Sequence, residues 1–509
     1  MKKLLLLLLL VPLISFSQHN VNLDELDQYY NKMVKDWDVP SMAIAVIQDG
    51  EVIHSKAYGV IEDGKDTQAD SNSLYAIASN SKAFTATILA MLVEEGKVSW
   101  DDKVQQYIPY FQLYDPWVSA ETTIKDLLCH RVGLGTFSGD IIWYKSSLSS
   151  EAIIRNFKDI PQDYNFRDGY GYSNLMYITA GQVIKEVTGK SWSENVHERI
   201  FTPLGMNRTI TSPNDLKDKG NYATPHARKD NENIPIDWVD WQEIGALGGI
   251  ISSVNDLSKW MTFNMNHGVW MGDTLLSSAS INKLWTPHNN FPVNHTSRND
   301  FAQKFNGYGL GWKIGDYRDK MLVGHTGGYD GMISAFHFLP DEKTGVIVLT
   351  NGSKSPIMAA TYYTLDKLLG VENPKDWSAN HLKRVNQRAE KDEKAIEERK
   401  ANRIKKTKPS LLLDDYAGTY HSSIYGNIEI SVSGKNLKIK FEHSPDLSAT
   451  LTHWHYDVFK IEWDNIHAWF DFGTVQFNMD NNLKITGIDF DVPNHDIFFE
   501  ELKAKRIEN

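Results

Sequence analysis

The chain has 509 residues, of which 41% are hydrophobic and 23% are charged, a globular composition long enough for two or more domains. Its formal net charge of −12 argues against a nucleic-acid partner. Cys129 is the single cysteine and excludes an intramolecular disulfide, and its apolar helical context favours a small core residue.

Residues 1–17 have the pattern of a secretory signal peptide. Two lysines precede the apolar run 4–14, which is too short for a comfortable membrane span, and Ser15-Phe16-Ser17 offers small residues for cleavage before Gln18. The alternative interpretation is an N-terminal membrane anchor. We expect an exported protein, periplasmic or secreted, with no transmembrane segment in the mature chain.

Residues 18–375 are predicted to form one α+β domain. An amphipathic helix over 20–37 precedes a hairpin that turns at Asp49-Gly50, helical patterns dominate 79–270, and strand patterns return over 308–352. Strands from both ends of the segment with helices between them indicate an antiparallel sheet flanked by helices, plus a helical subdomain.

The last quarter of the chain changes character twice. Residues 376–410 are dense in charged side chains and predict a solvated helical linker. Residues 411–509 contain a hairpin around Ser433-Gly434 and short aromatic strands, which predict a small all-β domain of barrel or sandwich type.

The stretch "IASNSKAFTA" places Ser79 and Lys82 three residues apart in an apolar helical context. Residues at i and i+3 share one face of a helix, so the amine can reach the hydroxyl. Burial lowers the pKa of a lysine, and a neutral amine can activate a serine as a nucleophile. A second Ser-x-x-Lys, at Ser280 and Lys283, is interpreted as chance.

Two further segments complete a candidate site. "DGYGYSNLMYITAG" contains Tyr172-Ser173-Asn174 before a helical run, between Ser79 and the late strands. "VGHTGGYDG" contains His325-Thr326-Gly327-Gly328 after an apolar strand, and its glycines allow close backbone approach to a ligand. We favour it over Lys343-Thr344-Gly345, which is predicted to lie in a hairpin turn.

These segments resemble serine β-lactamase-related hydrolases, a group that includes class C β-lactamases, D-alanyl-D-alanine carboxypeptidases, D-aminopeptidases and some esterases. The similarity runs in family order over roughly residues 22–370, through "TIKDLLCHRVGL", "FTPLGM", "GALGGIISSVNDLSKWM", "YGLGW" and "VIVLTNG" as well as the segments above. The C-terminal region, with "HWHYDVFKI", resembles the lipocalin-like β domain appended to some of these enzymes.

The resemblance implies catalytic roles. Ser79 would attack a carbonyl and become acylated, while Lys82 and Tyr172 would share the general-base and general-acid work. A nearby cation is expected to lower the pKa of Tyr172. Asn174 would hydrogen-bond the substrate amide; the alternative is a cap on the following helix.

The resemblance also implies a substrate-binding strand. Backbone N–H groups of Ser79 and Gly328 would form the oxyanion hole, and His325 and Thr326 would line the side that receives a substrate carboxylate. Penicillin-recognising members usually carry lysine where this chain has His325. Histidine is only partly charged at neutral pH, which favours a peptidase or esterase over an efficient β-lactamase.

Other functions receive less support. A β-lactamase proper and a non-catalytic protein that binds cell-wall peptides remain alternatives to hydrolysis of a D-amino-acid peptide, a cell-wall fragment or a small ester. His453 and His455 share a strand face but lack a convincing third ligand, so no metal and no cofactor are predicted. The expected partner is a small-molecule or peptide substrate, and the oligomeric state stays open.

Overall fold

The structure, a computed structural model, describes residues 21–507. The predicted signal peptide lies outside the described residues. Strands make up two large sheets and three small ones. In chain order the strands are β1 (Ser41–Gln48), β2 (Glu51–Gly59), β3 (Tyr75–Ala76), β4 (His226–Lys229), β5 (Glu232–Pro235), β6 (Ile251–Ser252), β7 (Val269–Trp270), β8 (Asp273–Thr274), β9 (Asn289–Asn290), β10 (Asn306–Tyr308), β11 (Lys313–Tyr317), β12 (Lys320–Tyr329), β13 (Met332–Leu339), β14 (Thr344–Thr350), β15 (Gly418–Ser422), β16 (Gly426–Ser433), β17 (Asn436–Phe441), β18 (Ser444–His455), β19 (Val458–Trp463), β20 (Thr474–Met479), β21 (Ile485–Asp491) and β22 (Ala504–Arg506).

Most of the helices lie between the two groups of strands in the first domain. They are α1 (Leu23–Trp37), α2 (Ser81–Glu94), α3 (Pro116–Glu121), α4 (Ile124–Leu128), α5 (Ser150–Arg155), α6 (Asn174–Thr188), α7 (Trp192–Val196), α8 (Thr202–Leu204), α9 (Leu216–Lys219), α10 (Gly245–Gly248), α11 (Val254–Met265), α12 (Ser278–Leu284), α13 (His295–Phe301), α14 (Ile357–Leu368), α15 (Trp377–Ala401) and α16 (Leu413–Tyr416).

The first large sheet is built from both ends of its domain. Its strand order is β2-β1-β14-β13-β12-β11-β10-β9, and every neighbouring pair is antiparallel. The β1–β2 hairpin turns at Asp49-Gly50, where both residues have positive φ. Strand β1 then pairs with the late strand β14, with Met42 opposite Thr350.

Alternate residues of β1 belong to two different cores, as the period of a strand requires. The even-numbered residues 42–46 pack with α1 and α14, and the odd-numbered residues 43–47 belong to the larger core that contains α2 and α11. The sheet is therefore covered on both faces, and α2 is buried from Ser81 to Leu92. This burial is what encloses Lys82.

The last eight strands close into a barrel in which each strand pairs with its sequence neighbour and β22 pairs back with β15. Helix α15, which leads to the barrel, is mostly exposed and rich in charged side chains. The predicted fold class, an antiparallel sheet with helices and a helical subdomain followed by a small all-β barrel, is confirmed. Within residues 21–507, no helix has the length and apolar character needed to cross a membrane.

A buried ion cluster fixes the loops that surround α4 and lead to Tyr172. The fully buried Asp126 accepts from Arg131 at 2.7 Å and from Arg167 at 2.6 Å, and it closes the N-terminal cap of α4 with Thr123. Burial alone would raise the pKa of this carboxyl, but the bonds from Arg167 and Thr123 and the charge of Arg131 outweigh it and hold the pKa below its usual value.

Asp126→Ala should lower the free energy of unfolding at pH 7 by about 3–5 kcal/mol, because it leaves two arginines without their buried partner. The difference from wild type should be present above pH 3.8, the ordinary pKa of an aspartate, and shrink as the pH falls through the lower folded value. Urea unfolding at several pH values measures it.

The matched control is Asp101→Ala. Asp101 is 75% exposed and pairs with Lys125 at the surface, so its loss should cost less than about 1 kcal/mol. Equal costs for the two variants would contradict the structural role given to Asp126.

Candidate active site

Ser79 lies in a tight turn that the surrounding backbone holds in place. The 3₁₀ turn Ala78–Asn80 leads directly into α2, and Ala78 has a φ of 46°, which is unusual for a residue with a side chain. Strand β12 passes against this turn so closely that a Cβ atom at Gly327 would lie 2.1 Å from the Ile77 carbonyl oxygen. Only glycine permits this approach.

The Lys82 amine is completely buried and touches three oxygen atoms. Nζ lies 3.0 Å from Ser79 Oγ, 2.8 Å from Asn174 Oδ1 and 2.7 Å from the Leu247 carbonyl oxygen. Burial lowers its pKa to about 7. A neutral amine has two N–H groups, which Asn174 and Leu247 accept, and its lone pair then faces the Ser79 hydroxyl.

A buried aspartate supports this arrangement from behind. Asp140 Oδ2 accepts from Asn174 Nδ2 at 2.6 Å, and Oδ1 accepts from Trp143 Nε1 at 2.8 Å. Burial raises the pKa of Asp140 to about 8. Asn174 therefore connects the Asp140 carboxyl to the Lys82 amine. It begins α6 and does not cap it, since the capping position belongs to Ser173.

Tyr172 lies beside this group with a buried hydroxyl that has no hydrogen-bond partner among the described residues. Its ring packs 4.3 Å from the ring of His130 and 5.0 Å from Lys82 Nζ. Burial raises its pKa well above 10, although the Ser79 side chain acts in the opposite direction. The expected lowering of this pKa was wrong, because exclusion of water outweighs a lysine that is itself partly neutral.

His325 is a neutral residue with both ring nitrogens occupied. Nε2 accepts from the Tyr308 hydroxyl at 2.8 Å, and Nδ1 lies 2.6 Å from the Thr326 carbonyl oxygen. Burial and the neighbouring Lys82 lower its pKa to about 3. His325 has no N–H left for a substrate carboxylate, whereas the Thr326 side chain is exposed to the cavity.

The edge of β12 beside Ser79 is open. Strand β11 pairs with β12 from Lys320 only as far as Gly324, so residues 325–328 have a sheet neighbour on the β13 side alone. Backbone groups along this edge can pair with an extended substrate. Gly328, the predicted oxyanion donor, lies on this segment and lines the cavity.

One cavity of about 580 Å³ brings the predicted residues together, apart from the buried Lys82 amine beneath it. The predicted residues on its wall are Ser79, Tyr172, Asn174, His325, Thr326 and Gly328. Lys343 is not among the lining residues; it lies in the turn before β14 with a φ of 47°. The Ser280 hydroxyl, from the second Ser-x-x-Lys, donates to Glu94.

Sequence analysis did not point to the other lining residues, among which Asp140, Lys313 and Trp469 bear most directly on the chemistry. Asp140 is a lone acid before an apolar run, "DIIW", a context that burial alone could have explained. Lys313 follows "YGLGW" on β11. Trp469 lies in "HAWFDFG", a loop between two barrel strands, and no local pattern points from there to Ser79.

Lys313 is the free cation of the cavity. It lies opposite Gly324, one residue before His325, and its amine makes no hydrogen bond or ion pair with any described residue. The side chain is accessible to solvent within the cavity, but the surrounding walls partly desolvate the amine and so lower its pKa. It therefore lies where the sequence analysis placed the carboxylate side of the site.

His453 and His455 of the barrel have different hydrogen-bond partners. His453 Nε2 lies 3.0 Å from the Tyr456 carbonyl oxygen, and His455 Nδ1 accepts from the Ile404 N–H. Among residues 21–507, no group of three histidine, cysteine or acidic side chains is arranged to hold a metal ion.

Comparison with known proteins extends over both domains. A family model described as Beta-lactamase matches residues 26–369, and a domain of unknown function, DUF3471, matches residues 402–506. The unguisins hydrolase ungD of Aspergillus violaceofuscus is 30% identical over 449 residues, covering 80% of this chain and 76% of that protein. Penicillin-binding protein 4 of Amycolatopsis lactamdurans is 26% identical over 346 residues, covering 66% of this chain and 87% of that protein.

Two solved structures share the fold. The octameric penicillin-binding protein homologue from Pyrococcus abyssi matches 93% of this chain and 98% of its own, with a TM-score of 0.62 and 22% identity. A D-stereospecific amidohydrolase from Streptomyces sp. matches 68% of this chain and 98% of its own, with a TM-score of 0.53 and 20% identity. The family match over most of the first domain and the 30% identity to a relative across 80% of the chain show that this protein is a hydrolase of the beta-lactamase family, related to penicillin-binding proteins.

Proposed function

We propose that the protein is an exported serine hydrolase that works through an acyl-enzyme on Ser79 and cleaves an amide or ester bond. The observation that carries this proposal is the buried Lys82 amine, 3.0 Å from Ser79 Oγ, with its other two partners both acceptors. The substrate classes in view are D-amino-acid peptides, cell-wall fragments and small esters. Export is inferred from the signal-peptide pattern of residues 1–17.

In the first half-reaction, neutral Lys82 takes the proton of the Ser79 hydroxyl as Oγ bonds to the substrate carbonyl carbon. The resulting oxyanion faces the backbone N–H groups of Ser79 and Gly328, and such a donor contributes about 10²–10³ in rate. Collapse of the tetrahedral intermediate breaks the C–N or C–O bond, and the leaving group takes a proton.

Tyr172 is suited to deliver that proton. Its raised pKa keeps the phenol protonated at neutral pH, and the Ser79 side chain interacts with its hydroxyl. Proton transfer from Lys82 to the phenolate then restores the starting state. A water molecule attacks the acyl carbon in the second half-reaction, which releases the acid and regenerates the Ser79 hydroxyl.

The free amine of Lys313 favours a leaving group that carries a carboxylate. Lys313 pairs with Gly324, and Thr326 lies two residues further along β12, so both side chains lie on the same face of the sheet. Lys313 would hold such a carboxylate in place of the fixed lysine of penicillin-recognising relatives, whose position is occupied here by neutral His325. A carboxylate contact at Lys313 would serve a peptide and a β-lactam alike, so the preference for a peptidase or esterase rests on the neutral His325.

A protein that only bound cell-wall peptides would not need the Ser79–Lys82 contact, so the intact contact argues against that alternative. The names of two similar proteins, an unguisins hydrolase and a D-stereospecific amidohydrolase, are in keeping with hydrolysis.

Exposure to a penicillin and, separately, to an activated ester should add the mass of one acyl group to the wild-type protein and none to Ser79→Ala. Intact-mass spectrometry measures the adduct, and absorbance records whether the reagent is consumed. A persistent penicilloyl adduct indicates slow deacylation, and consumed penicillin without an adduct indicates a lactamase. An ester adduct on both proteins would remove Ser79 from its role.

The rate of Ser79 acylation should rise as the pH increases through about 7, because the ammonium form of Lys82 cannot accept the serine proton. Lys82→Ala should lower the rate by about 10²–10⁴ and abolish this pH dependence. Stopped-flow measurement with an activated ester between pH 5 and 9 records both.

Asp140→Asn should move the same midpoint to lower pH. The fraction of Asp140 that is ionised stabilises the ammonium form of Lys82, and the amide removes that charge while keeping the shape. A midpoint that moved upward or stayed unchanged in Asp140→Asn would assign the titration to another group. A pH dependence that persisted in Lys82→Ala would do the same.

Lys313→Ala should raise KM about tenfold for a peptide with a free C-terminal carboxylate, because it removes a charge-assisted contact. The same peptide with a C-terminal amide should be unaffected, so the ratio of the two KM values isolates the charge. Lys320→Ala, at the far end of β12 and paired with Glu342, is the control. Equal effects on both peptides would exclude Lys313 as the carboxylate contact.

A further inference from the structure

The loop between barrel strands β19 and β20, residues 464–473, packs against the first domain. The Phe470 ring lies 5.9 Å from the Tyr144 ring, and the His467 ring lies 6.3 Å from it. Tyr144 is buried, and its hydroxyl donates to Asp330 at 2.7 Å, just beyond the end of β12. The barrel loop is therefore anchored beside the substrate strand.

Trp469 extends from this loop into the cavity. Its Cη2 atom lies 3.1 Å from the position that a Cβ atom at Gly328 would take. The ring thus covers the backbone of the predicted oxyanion donor and lines the same cavity as Ser79. The indole also approaches Asp330 closely enough to oppose the rise that burial causes in the pKa of that carboxyl.

A second contact fixes the barrel on the opposite wall. Glu501, at the end of the 3₁₀ turn Phe499–Glu501, accepts from Ser138 Oγ at 2.5 Å and from the Gly139 backbone N–H at 2.7 Å. The first-domain loop that contains Ser138 and Gly139 also carries Phe137 and Asp140, both of which line the cavity. With contacts on two walls, the barrel holds Trp469 in a defined position.

The cavity has a different chemistry at each end of the open β12 edge. Lys313 and Thr326 lie before Gly328, on the side assigned to the leaving group. Aromatic rings line both ends, but the tryptophans lie at and beyond Gly328, where none of the described lysines or arginines lines the cavity: the Trp143 and Trp241 rings are 5.4 Å apart, Trp241 lies 4.7 Å from Tyr329, and Trp469 covers the strand. A substrate that places its carboxylate near Lys313 must place its acyl group among these rings.

We propose that Trp469 of the C-terminal barrel is a specificity-determining residue of the active site. With Trp143 and Trp241 it forms an aromatic acyl subsite that selects acyl donors with one flat apolar side chain and excludes long chains. The proposal rests on the acyl-enzyme function proposed above. Flat rings suit such a subsite because stacked and edge-to-face contacts add to the burial of apolar area.

The test compares p-nitrophenyl acetate, phenylacetate and dodecanoate as substrates of the wild type, Trp469→Ala and Trp469→Phe. In Trp469→Ala the phenylacetate-to-acetate ratio of kcat/KM should fall about tenfold. The dodecanoate-to-acetate ratio should rise, because the wall is gone. Trp469→Phe, which keeps a ring, should retain most of the phenylacetate preference and guards against misfolding as the explanation.

Trp117→Ala is the matched control, since Trp117 is 64% exposed and does not line the cavity. Its ratios should equal those of the wild type. Unchanged ratios in Trp469→Ala would overturn the proposal, and so would equal changes in Trp117→Ala.

A binding measurement separates this proposal from the proposed function. In the Ser79→Ala background, calorimetry should show N-phenylacetylglycine binding about tenfold more tightly than N-acetylglycine, and Trp469→Ala should remove the difference. If the wild type hydrolyses no ester but this difference is present, hydrolysis fails and the subsite stands. If esters are hydrolysed and the two ligands bind equally, the subsite fails and hydrolysis stands.

Discussion

The burial of the Lys82 amine is the constraint on which the rest of the site depends. An isolated ammonium in such a place would cost several kcal/mol, so the group must either be paired or lose its proton. The structure does both in part: burial lowers its pKa to about 7, and three oxygens surround it. These oxygens come from the turn before α2, from the start of α6 and from α10. Three distant segments must therefore meet correctly before the amine is tolerated, which links the fold to the chemistry.

Asp140 is the second ionisable group buried in this network, and its protonation state is coupled to that of Lys82. A carboxylate and an ammonium buried together would both lose a strong ionic hydration, whereas burial of a neutral acid and a neutral amine costs far less. Burial raises the pKa of Asp140 to about 8 while it lowers that of Lys82, so both groups move toward the uncharged form near neutral pH. Asn174 joins them, with its carbonyl toward the amine and its amide toward the acid. In the proposed mechanism, the Ser79 proton would enter a network in which both Asp140 and Lys82 are near their neutral forms.

The sequence was sufficient to predict site residues that are close together in the chain or that follow the order of the family's motifs. Ser79 and Lys82 are adjacent on one helical face, and Tyr172 and His325 follow in family order, so their meeting was predictable. The pKa of Tyr172 was not, because it depends on burial by His130 and its neighbours, which lie on separate loops. Lys313 was missed because its role depends on where β11 stops pairing with β12. The hairpins at Asp49-Gly50 and Ser433-Gly434 were predictable from turn residues alone.

The two glycines of β12 show how both domains shape one strand. Gly327 has no room for a side chain because the backbone before Ser79 lies against it, and this constraint belongs to the first domain alone. Gly328 faces Trp469, which the barrel supplies, so a side chain there would meet the second domain. Glu501 holds the barrel against the loop of Asp140, on the other wall of the same cavity. The cavity is therefore built by the whole chain: the first domain provides Ser79 and Lys82, the proposed nucleophile and proton acceptor, and the barrel provides Trp469 on its wall.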